Sequence, residues 1–236
     1  MAPNAEYIYL ASFLLSSENI TKAYNSIALR YAEWTRPSHP IRIQYLNRLL
    51  EYLLSSSHEK SVLELGCGSG DPCTVRLASI PGLKVTANDI SSVQLALAAQ
   101  HLTSKDVSLV EGDMMNLSFE GHSMDAVVAM YSIIHIPREE QLALLVRIHK
   151  WLKPGGWFLG NFGSGDGSTG SFDDCWFDGM EGVMFWSGWG EEGTREMLTA
   201  IGFELILCEV VTDIEDKGGE TQEVPFLWVL GRKPEN

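Results

Sequence analysis

The sequence VLELGCGSG, residues 62–70, predicts a buried strand that runs into a tight glycine loop. Apolar residues surround Glu64, and glycine then occupies every second position from 66 to 70. Asp71 and Pro72 follow directly, as a helix N-cap candidate and a residue suited to a first helical turn. Glycines in such a loop allow positive φ and let a ligand lie against bare main chain. The stretch therefore predicts a strand, a ligand-binding loop and a helix start with free N–H groups.

The composition is that of a globular protein with a sizeable core, because 45% of the 236 residues are apolar and 20% are charged. A formal charge of −14 argues against nucleic acid as a partner. The four cysteines lack the paired spacing of metal ligands, so we expect reduced thiols and no metal site. The N-terminal apolar run lacks the basic start of a signal peptide, and no run is long enough to span a bilayer. We expect a cytoplasmic protein with a small-molecule partner and no membrane contact, whose oligomeric state is open.

Strand and helix patterns alternate along most of the chain, which predicts an α/β fold with a doubly wound sheet. The near-continuous apolar run Met124–Met130 indicates a strand buried on both faces, as in a parallel sheet. Two final strands around the polar loop Asp213–Glu223 indicate an antiparallel hairpin. The predicted strands cover 61–66, 83–88, 106–111, 124–130, 157–162, 203–211 and 224–231, and the predicted helices cover 40–54, 72–80, 91–102, 137–152 and 191–200.

Two segments fall outside this alternation. Residues 1–36 are rich in aromatic side chains, some of them at helical spacing. Residues 163–190 combine glycines and aromatics without clear periodicity, which is typical of a binding loop. We expect a single domain over 1–236, with a helical cap over 1–40 and a lid-like insertion over 163–190 that cover the active site.

Acidic residues recur where successive predicted strands end, and in a doubly wound sheet these ends meet at one crevice. Asp89 can accept two hydrogen bonds from ribose hydroxyls, and Asp113 can accept one from the exocyclic amine of adenine. Glu64, two residues before the first glycine, repels a phosphate but suits an ammonium group. The glycine spacing also departs from the G-x-G-x-x-G fingerprint of dinucleotide sites. The residues therefore favour an adenosine with a cationic amino-acid tail.

With these residues the chain resembles the class I S-adenosylmethionine-dependent methyltransferases from about Tyr24 to its C-terminus. The resemblance implies a Rossmann-like, seven-stranded sheet in the order 3-2-1-4-5-7-6, with strand seven antiparallel and helices on both faces. It also implies S-adenosyl-L-methionine as the cofactor. The matching segments are the E-x-G-x-G-x-G stretch Glu64–Gly70, the turns Asn88–Ser91 and Glu111–Met114, Met130–Ser132 after strand four, and Leu152–Gly156 before strand five.

The resemblance also implies which residues bind the cofactor. The glycine loop would pass the methionine tail, Asp89 would bind the ribose, and Ile90 would pack on the adenine. Asp113 and Met114 would hold the other adenine edge, and Tyr131 would lie under the methionine. The full set of expected cofactor residues is Glu64, Gly66, Cys67, Gly68, Gly70, Asp89, Ile90, Asp113, Met114, Tyr131 and Tyr31.

Methyl transfer from a sulfonium needs mainly proximity and orientation, and a neutral nucleophile also needs a proton acceptor. His135, shortly after the fourth strand, is the candidate catalytic base; Glu139 is a second candidate, and a purely structural role for His135 stays open. Aromatic faces suit a sulfonium and flat apolar substrates, although the same side chains suit lid packing. The expected substrate-binding residues are Tyr24, Trp34, His135, Phe185, Trp186 and Trp189.

The favoured interpretation is thus methyl transfer to a small, apolar or aromatic molecule by in-line displacement. Alternatives on the same fold are a protein that binds the cofactor without transfer, as a regulator, or one that uses the sulfonium to assist a rearrangement. A peptide or protein substrate also stays open, while a nicotinamide dehydrogenase fits the glycine spacing poorly. The acceptor atom does not follow from the sequence, because one fold supports several chemistries.

Overall fold

In a computed structural model of the protein, the residues described are 17–55, 58–102, 104–165, 170–217 and 220–235. The first sixteen residues, with the aromatic side chains Tyr7, Tyr9 and Phe13 and part of the expected cap, lie outside the described residues. So do residues 166–169 of the expected lid. The division into one domain with a cap and a lid therefore stays a prediction.

The main sheet contains seven strands in the order β3-β2-β1-β4-β5-β9-β8, in which β9 pairs antiparallel with both of its neighbours. Counted along the chain without the two short strands β6 and β7, this is the predicted order 3-2-1-4-5-7-6 with strand seven antiparallel, which is confirmed. The strands are β1 Lys60–Leu65, β2 Leu83–Asp89, β3 Val107–Glu111, β4 Met124–Ala129, β5 Leu152–Gly163, β6 Ser171–Asp173, β7 Met184–Trp186, β8 Glu204–Lys217 and β9 Glu220–Arg232.

Helices cover both faces of this sheet, as the doubly wound arrangement requires. They are α1 Ser17–Trp34, α2 His39–Leu53, α3 Cys73–Ala78, α4 Ser92–His101, α5 Arg138–Trp151 and α6 Gly190–Ile201, with short 3-10 turns at Arg36–Ser38, Met114–Asn116 and Ile133–His135. Among the described residues, no helix is long and apolar enough to cross a membrane.

Two hydrophobic clusters, one on each face of the sheet, form most of the core. Alternate residues of β4 enter opposite clusters: Ala126 and Val128 pack with Leu46 of α2, whereas Val127 and Ala129 pack with the helices of the other face. Side chains of a strand alternate between faces, so a strand covered on both sides is apolar along most of its length. All six residues of β4 are buried and all but Asp125 are apolar, which explains the near-continuous apolar run in its sequence.

Two local predictions are wrong. Asp71 does not cap the following helix, because α3 begins only at Cys73, and its N-cap residue is Pro72, without a side-chain hydrogen bond. The segment 213–223 is not a loop, because β8 continues to Lys217 and β9 begins at Glu220, with Asp213 paired to Val224. This part of the hairpin extends beyond the core, where a strand needs ladder hydrogen bonds but no apolar face, so its polar residues are compatible with strand.

Ser91, with Gln94 three residues later, has the sequence pattern of a capping box and predicts the start of α4, and the Ser91 cap is present. Ser91 Oγ accepts a hydrogen bond from the N–H of Gln94 at 3.1 Å and donates one to Asn25 Oδ1 of α1 at 2.6 Å. The second half of this capping box is missing, because neither amide atom of Gln94 has a hydrogen-bond partner in the described part of the chain. One hydroxyl therefore both caps α4 and attaches α1 to it.

We predict that Ser91→Ala lowers the free energy of unfolding by about 1–2 kcal/mol, because α4 loses its cap and Asn25 loses its donor. Urea denaturation measures this change. Ser92→Ala, at the exposed first residue of the helix, is the control and should change stability by less than about 0.5 kcal/mol. Equal effects of the two substitutions would contradict the assignment of Ser91 as the cap.

Candidate active site

The glycine loop has a backbone that only glycine adopts without strain. Gly66, Gly68 and Gly70 have φ of +70°, +57° and +78°. A Cβ on Gly66 would lie 2.4 Å from Cβ of Ser132, so the loop after β4 leaves no room for a side chain there. Gly68 faces more open space, since the nearest atom to such a Cβ would be Gln94 Oε1 at 3.9 Å. The loop therefore presents bare main chain at Gly68.

Asp89 connects this loop to the next element. Its Oδ2 accepts a hydrogen bond from the N–H of Gly68 at 2.8 Å, and its Oδ1 accepts one from the N–H of Ser91 at 2.9 Å. Burial raises the pKa of Asp89 to about 6, although these backbone donors act in the opposite direction. Each carboxylate oxygen keeps a second acceptor site after these bonds.

A cavity of about 310 Å³ lies at the carboxyl ends of β1 to β4, and we call it the first cavity. Most of the predicted cofactor residues line it, together with Tyr24 and His135 from the predicted substrate set. The cofactor candidates on its surface are Gly66, Cys67, Gly68, Asp89, Ile90, Asp113, Met114, Tyr131 and Tyr31.

Glu64 and Gly70 do not line the first cavity. Glu64 lies buried behind the loop, where its Oε2 accepts a hydrogen bond from Thr74 Oγ1 at 2.7 Å, and burial raises its pKa to about 7. Gly70 instead packs against α4, since a Cβ there would lie 3.3 Å from Cβ of Ala98. Both residues support the loop from the side away from the cavity.

Several buried polar atoms on the first cavity have no hydrogen-bond partner among the residues that the structure describes. They belong to Gln94, both of whose amide atoms lack a partner, to Ser132 through its Oγ, and to Asn88 through its Oδ1. Buried polar groups are normally satisfied, so a cavity lined by such atoms is suited to a ligand with hydroxyl and amine groups. An adenosine with an amino-acid tail has both.

A second cavity of about 860 Å³ adjoins the first. Five residues line both: Tyr31, Thr35, Arg42, Tyr131 and His135. We call these five residues the junction. Trp34 and Trp186 of the predicted substrate set border the second cavity as well. Phe185 and Trp189 line neither cavity, because Phe185 is buried against α1 and Trp189 packs beneath Arg138.

His135 is held by two hydrogen bonds. Its Nδ1 lies 2.8 Å from the carbonyl oxygen of Phe185 and its Nε2 lies 2.8 Å from the hydroxyl of Tyr24. A carbonyl only accepts, so Nδ1 carries the proton and Nε2 accepts from Tyr24. Burial lowers the pKa of His135 to about 4, so the ring is neutral at pH 7. Glu139, the other candidate base, lies in the first turn of α5, is exposed and lines neither cavity.

Two residues that sequence reasoning missed meet at Tyr131. The hydroxyl of Tyr131 donates a hydrogen bond to Oδ2 of Asp213 at 2.5 Å, and the guanidinium of Arg42 lies 4.2 Å from its ring centroid. Tyr131 itself has φ of +53°, and its N–H donates to Oδ1 of Asn161 at 2.6 Å. The sequence predicts a loop at Asp213 and an ordinary amphipathic helix at Arg42, so neither residue has a local signal of function.

Comparison with known proteins also finds methyltransferases. Residues 62–156 match the family model described as a methyltransferase domain. A sterol 24-C-methyltransferase of Gibberella zeae is 30% identical over 156 residues, which cover 59% of this chain and 40% of the relative. A malonyl-[acyl-carrier protein] O-methyltransferase of Priestia megaterium is 27% identical over 64% of this chain and 54% of its own length. The chain thus spans about half or less of these two relatives.

The fold comparison covers nearly the whole chain. The Burkholderia thailandensis 1,6-didemethyltoxoflavin-N1-methyltransferase, solved with its substrate and S-adenosylhomocysteine, has a TM-score of 0.64 at 20% identity. The alignment covers 99% of this chain and 93% of that one, and at this identity it shows the fold alone. Residues 62–156 thus match a methyltransferase domain, and the confirmed strand order is that of the class I S-adenosylmethionine-dependent methyltransferase fold.

Proposed function

We propose that this protein transfers the methyl group of S-adenosylmethionine to a small, apolar or aromatic molecule by in-line displacement. The observation that carries the proposal is the junction, where the same five residues line both cavities. A cofactor in the first cavity and a substrate in the second would meet at these residues. Because the two cavities adjoin, a cofactor in one and a substrate in the other would be held close together and in line, as displacement at an activated methyl requires.

The first cavity fits this cofactor at its adenosine end. Asp89 already accepts two backbone N–H groups, and its remaining acceptor sites suit the two ribose hydroxyls. Ile90, Asp113 and Met114 line the same cavity. In our proposal Ile90 packs on the adenine, and Asp113 and Met114 meet its other edge. When bound, the cofactor supplies an activated methyl group on a sulfonium.

The methionine end would lie along Gly66, Cys67 and Gly68, with Tyr131 beneath it. Glu64 lies behind this loop, so in our proposal it attracts the ammonium group through its charge and not through contact. Arg42 is suited to the carboxylate, because among the described residues no carboxylate lies within the 4.0 Å of an ion pair with it. These assignments follow from the lining, burial and charge of the residues.

We propose that His135 accepts the proton of the acceptor group through Tyr24. The lone pair of Nε2 is occupied by the Tyr24 hydroxyl, so a proton from the substrate would pass to the Tyr24 oxygen while the Tyr24 proton moves to Nε2. Burial lowers the pKa of His135, which keeps the ring in the neutral form that can accept a proton and disfavours the charged form.

The proposal is tested by calorimetric titration with S-adenosylmethionine and S-adenosylhomocysteine, followed by incubation with methyl-labelled cofactor and a library of small molecules. Micromolar or tighter binding and transfer of label to a library member, with release of S-adenosylhomocysteine, would support it. A folded protein that binds neither cofactor form would sink it. Release of label-free products with the cofactor unchanged would favour an assisted rearrangement instead.

Asp89→Asn should weaken binding of S-adenosylhomocysteine about 10–100-fold at pH 8, because the amide nitrogen must face the N–H of either Gly68 or Ser91 and two donors then meet. In the wild type, affinity should fall as the pH drops below about 6, where Asp89 becomes protonated, and this decline should be weaker in the variant. Calorimetry at pH 8, 7, 6 and 5.5 measures both effects. Asp106→Asn, on an exposed carboxylate before β3, is the matched control and should leave the affinity unchanged.

The buried, neutral state of His135 predicts a pH dependence of stability. An unfolded histidine protonates near pH 6.5, whereas the folded ring does so only near pH 4, so the unfolded chain binds more protons between these values. His135 therefore makes the free energy of unfolding fall on acidification below pH 6.5, by up to about 1.4 kcal/mol per pH unit.

Urea denaturation between pH 7 and 5 should show a smaller decline of this free energy for His135→Gln than for the wild type. His101→Gln, on an exposed ring, is the control; identical pH profiles for all three proteins would mean that His135 is not neutral and buried.

A further inference from the structure

The proposed proton path leads from the substrate to His135 through Tyr24, but Tyr24 is not among the described residues that line the second cavity. Tyr24 borders the first cavity, where the cofactor would lie. His135 borders both cavities, yet its ring nitrogens already have hydrogen-bond partners in Tyr24 and the carbonyl oxygen of Phe185. A substrate in the second cavity therefore needs another group between it and Tyr24.

Tyr31 lies at this position. As a junction residue it lines both cavities, and it follows Tyr24 on the same face of α1, about two helical turns further along. The two rings meet edge to face, with centroids 5.1 Å apart and planes at 79°. Burial raises the pKa of Tyr24 well above its usual value, and its electrostatic interaction and side-chain hydrogen bond with Tyr31 act in the same direction. Tyr31 thus connects the Tyr24 hydroxyl to the second cavity.

The hydrogen bonds between these side chains can run in one direction only. The carbonyl of Phe185 accepts, so Nδ1 of His135 donates to it and Nε2 accepts from Tyr24. A hydroxyl has a single proton, so the Tyr24 oxygen, which donates to Nε2, can only accept from Tyr31. The proton of Tyr31 therefore points at Tyr24. Toward the junction, the oxygen of Tyr31 acts as an acceptor alone.

Arg42 is consistent with this direction. Its guanidinium carries donors only and shares a side-chain hydrogen bond with Tyr31, so it donates to the Tyr31 oxygen. A positive charge at this place stabilises negative charge that develops on Tyr31 as its proton moves toward Tyr24. A guanidinium has five N–H groups, so Arg42 can donate to Tyr31 and to the carboxylate of the cofactor together.

From this arrangement, and resting on the proposed function, we propose that Tyr31 is the catalytic residue that contacts the methyl acceptor, and that this acceptor is an O–H or N–H group. As the acceptor atom bonds to the methyl carbon, its proton passes to the Tyr31 oxygen, the Tyr31 proton passes to Tyr24, and the Tyr24 proton passes to Nε2 of His135. The electron pair of the broken O–H or N–H bond stays on the acceptor atom, and the pair of the broken C–S bond stays on sulfur. The positive charge thus moves from the sulfonium to the imidazolium, which returns its proton along the same bonds after the product leaves.

The test begins with calorimetric titration of S-adenosylhomocysteine, which examines the proposed function by itself. The protein saturated with S-adenosylhomocysteine, which has no methyl to transfer, is then titrated with pairs of probes in which a donor is compared with its methylated form. The pairs are phenol and anisole, 2-naphthol and 2-methoxynaphthalene, and indole and 1-methylindole. In at least one pair the donor should bind about tenfold more tightly, which is the effect of one hydrogen bond to Tyr31.

Two variants examine the direction of the bonds. Tyr31→Phe keeps the ring and removes the acceptor, so it should reduce the donor preference to less than about threefold. Tyr24→Phe leaves the Tyr31 proton free to turn toward the second cavity, so the two methyl ethers, which accept, should gain affinity. A purely structural role of Tyr24 would produce no such gain. Tyr52→Phe, at an exposed tyrosine of α2 outside the described lining of both cavities, is the control and should leave the preference intact.

Donor strength provides a test in the wild type, which stays decisive if a variant does not fold. 4-Chlorophenol and 4-methylphenol have nearly the same shape, and the chloro compound is the stronger donor, so it should bind more tightly. Their methyl ethers, 4-chloroanisole and 4-methylanisole, should bind alike. With a substrate from the label-transfer screen, Tyr31→Phe should lower kcat about 100-fold or more.

The proposal is overturned if no donor is preferred in any pair, if the preference survives Tyr31→Phe, or if the methyl ethers gain nothing from Tyr24→Phe. Equal binding of 4-chlorophenol and 4-methylphenol to the wild type would also overturn it. Failure of S-adenosylhomocysteine to bind would instead count against the proposed function.

Discussion

One carboxylate, that of Asp89, holds the ligand-facing end of the sheet together. It joins Gly68 in the loop after β1 to Ser91 at the start of α4, and Ser91 in turn binds Asn25 of α1. Three elements that are distant in sequence are therefore connected within two hydrogen bonds of one side chain. The three glycines of the loop, whose φ angles are positive, have no side chains that could hold them, and the carboxylate of Asp89 holds Gly68 from outside the loop. The first cavity exists in its observed form because this anchor lies at the end of β2.

His135 connects the segments on the other side of the site. His135 receives a hydrogen bond from Tyr24 of α1 and gives one to the carbonyl of Phe185 in β7. Two more bonds join these segments directly, from Arg30 to the carbonyl of Asp178 and from the N–H of Glu181 to Ser26 Oγ. The helix before the core and the segment between β5 and α6 are thus attached to each other as well as to the sheet. Such a polar arrangement specifies a geometry more narrowly than apolar contact does.

The fold could be predicted from sequence because local patterns decide it. The apolar run of β4, the glycine loop and the cap at Ser91 each reflect a constraint that acts within a few residues. Most of the expected cofactor residues border one cavity for the same reason, since parallel strands bring their carboxyl ends to one edge. Two of the set, Glu64 and Gly70, point away from the cavity, because alternation along a strand and a turn decides which face a residue occupies.

What could not be predicted depends on contacts between distant segments. Trp189 looks like Trp186 in sequence, yet it packs under Arg138 while Trp186 borders the second cavity. Asp213 reaches Tyr131 across 82 residues, and Arg42 reaches the same ring from a helix that shows only a core-facing pattern. No single stretch of the sequence indicates these long-range contacts. The polar composition of residues 213–223 favours a loop, because composition alone does not distinguish a solvent-exposed pair of strands from a turn.

That hairpin has a particular place in the molecule. From Asp213 onward β8 leaves the core, yet its residues form a wall of the second cavity. Main-chain pairing with β9 maintains the shape of this part of β8, so its side chains need not pack against the core. Amino-acid replacements there change the chemistry of the wall and leave the sheet and the Asp89 anchor untouched. Under the proposed function, replacements in this wall would change which molecules the second cavity accepts over evolutionary time, while the cofactor end stays constant.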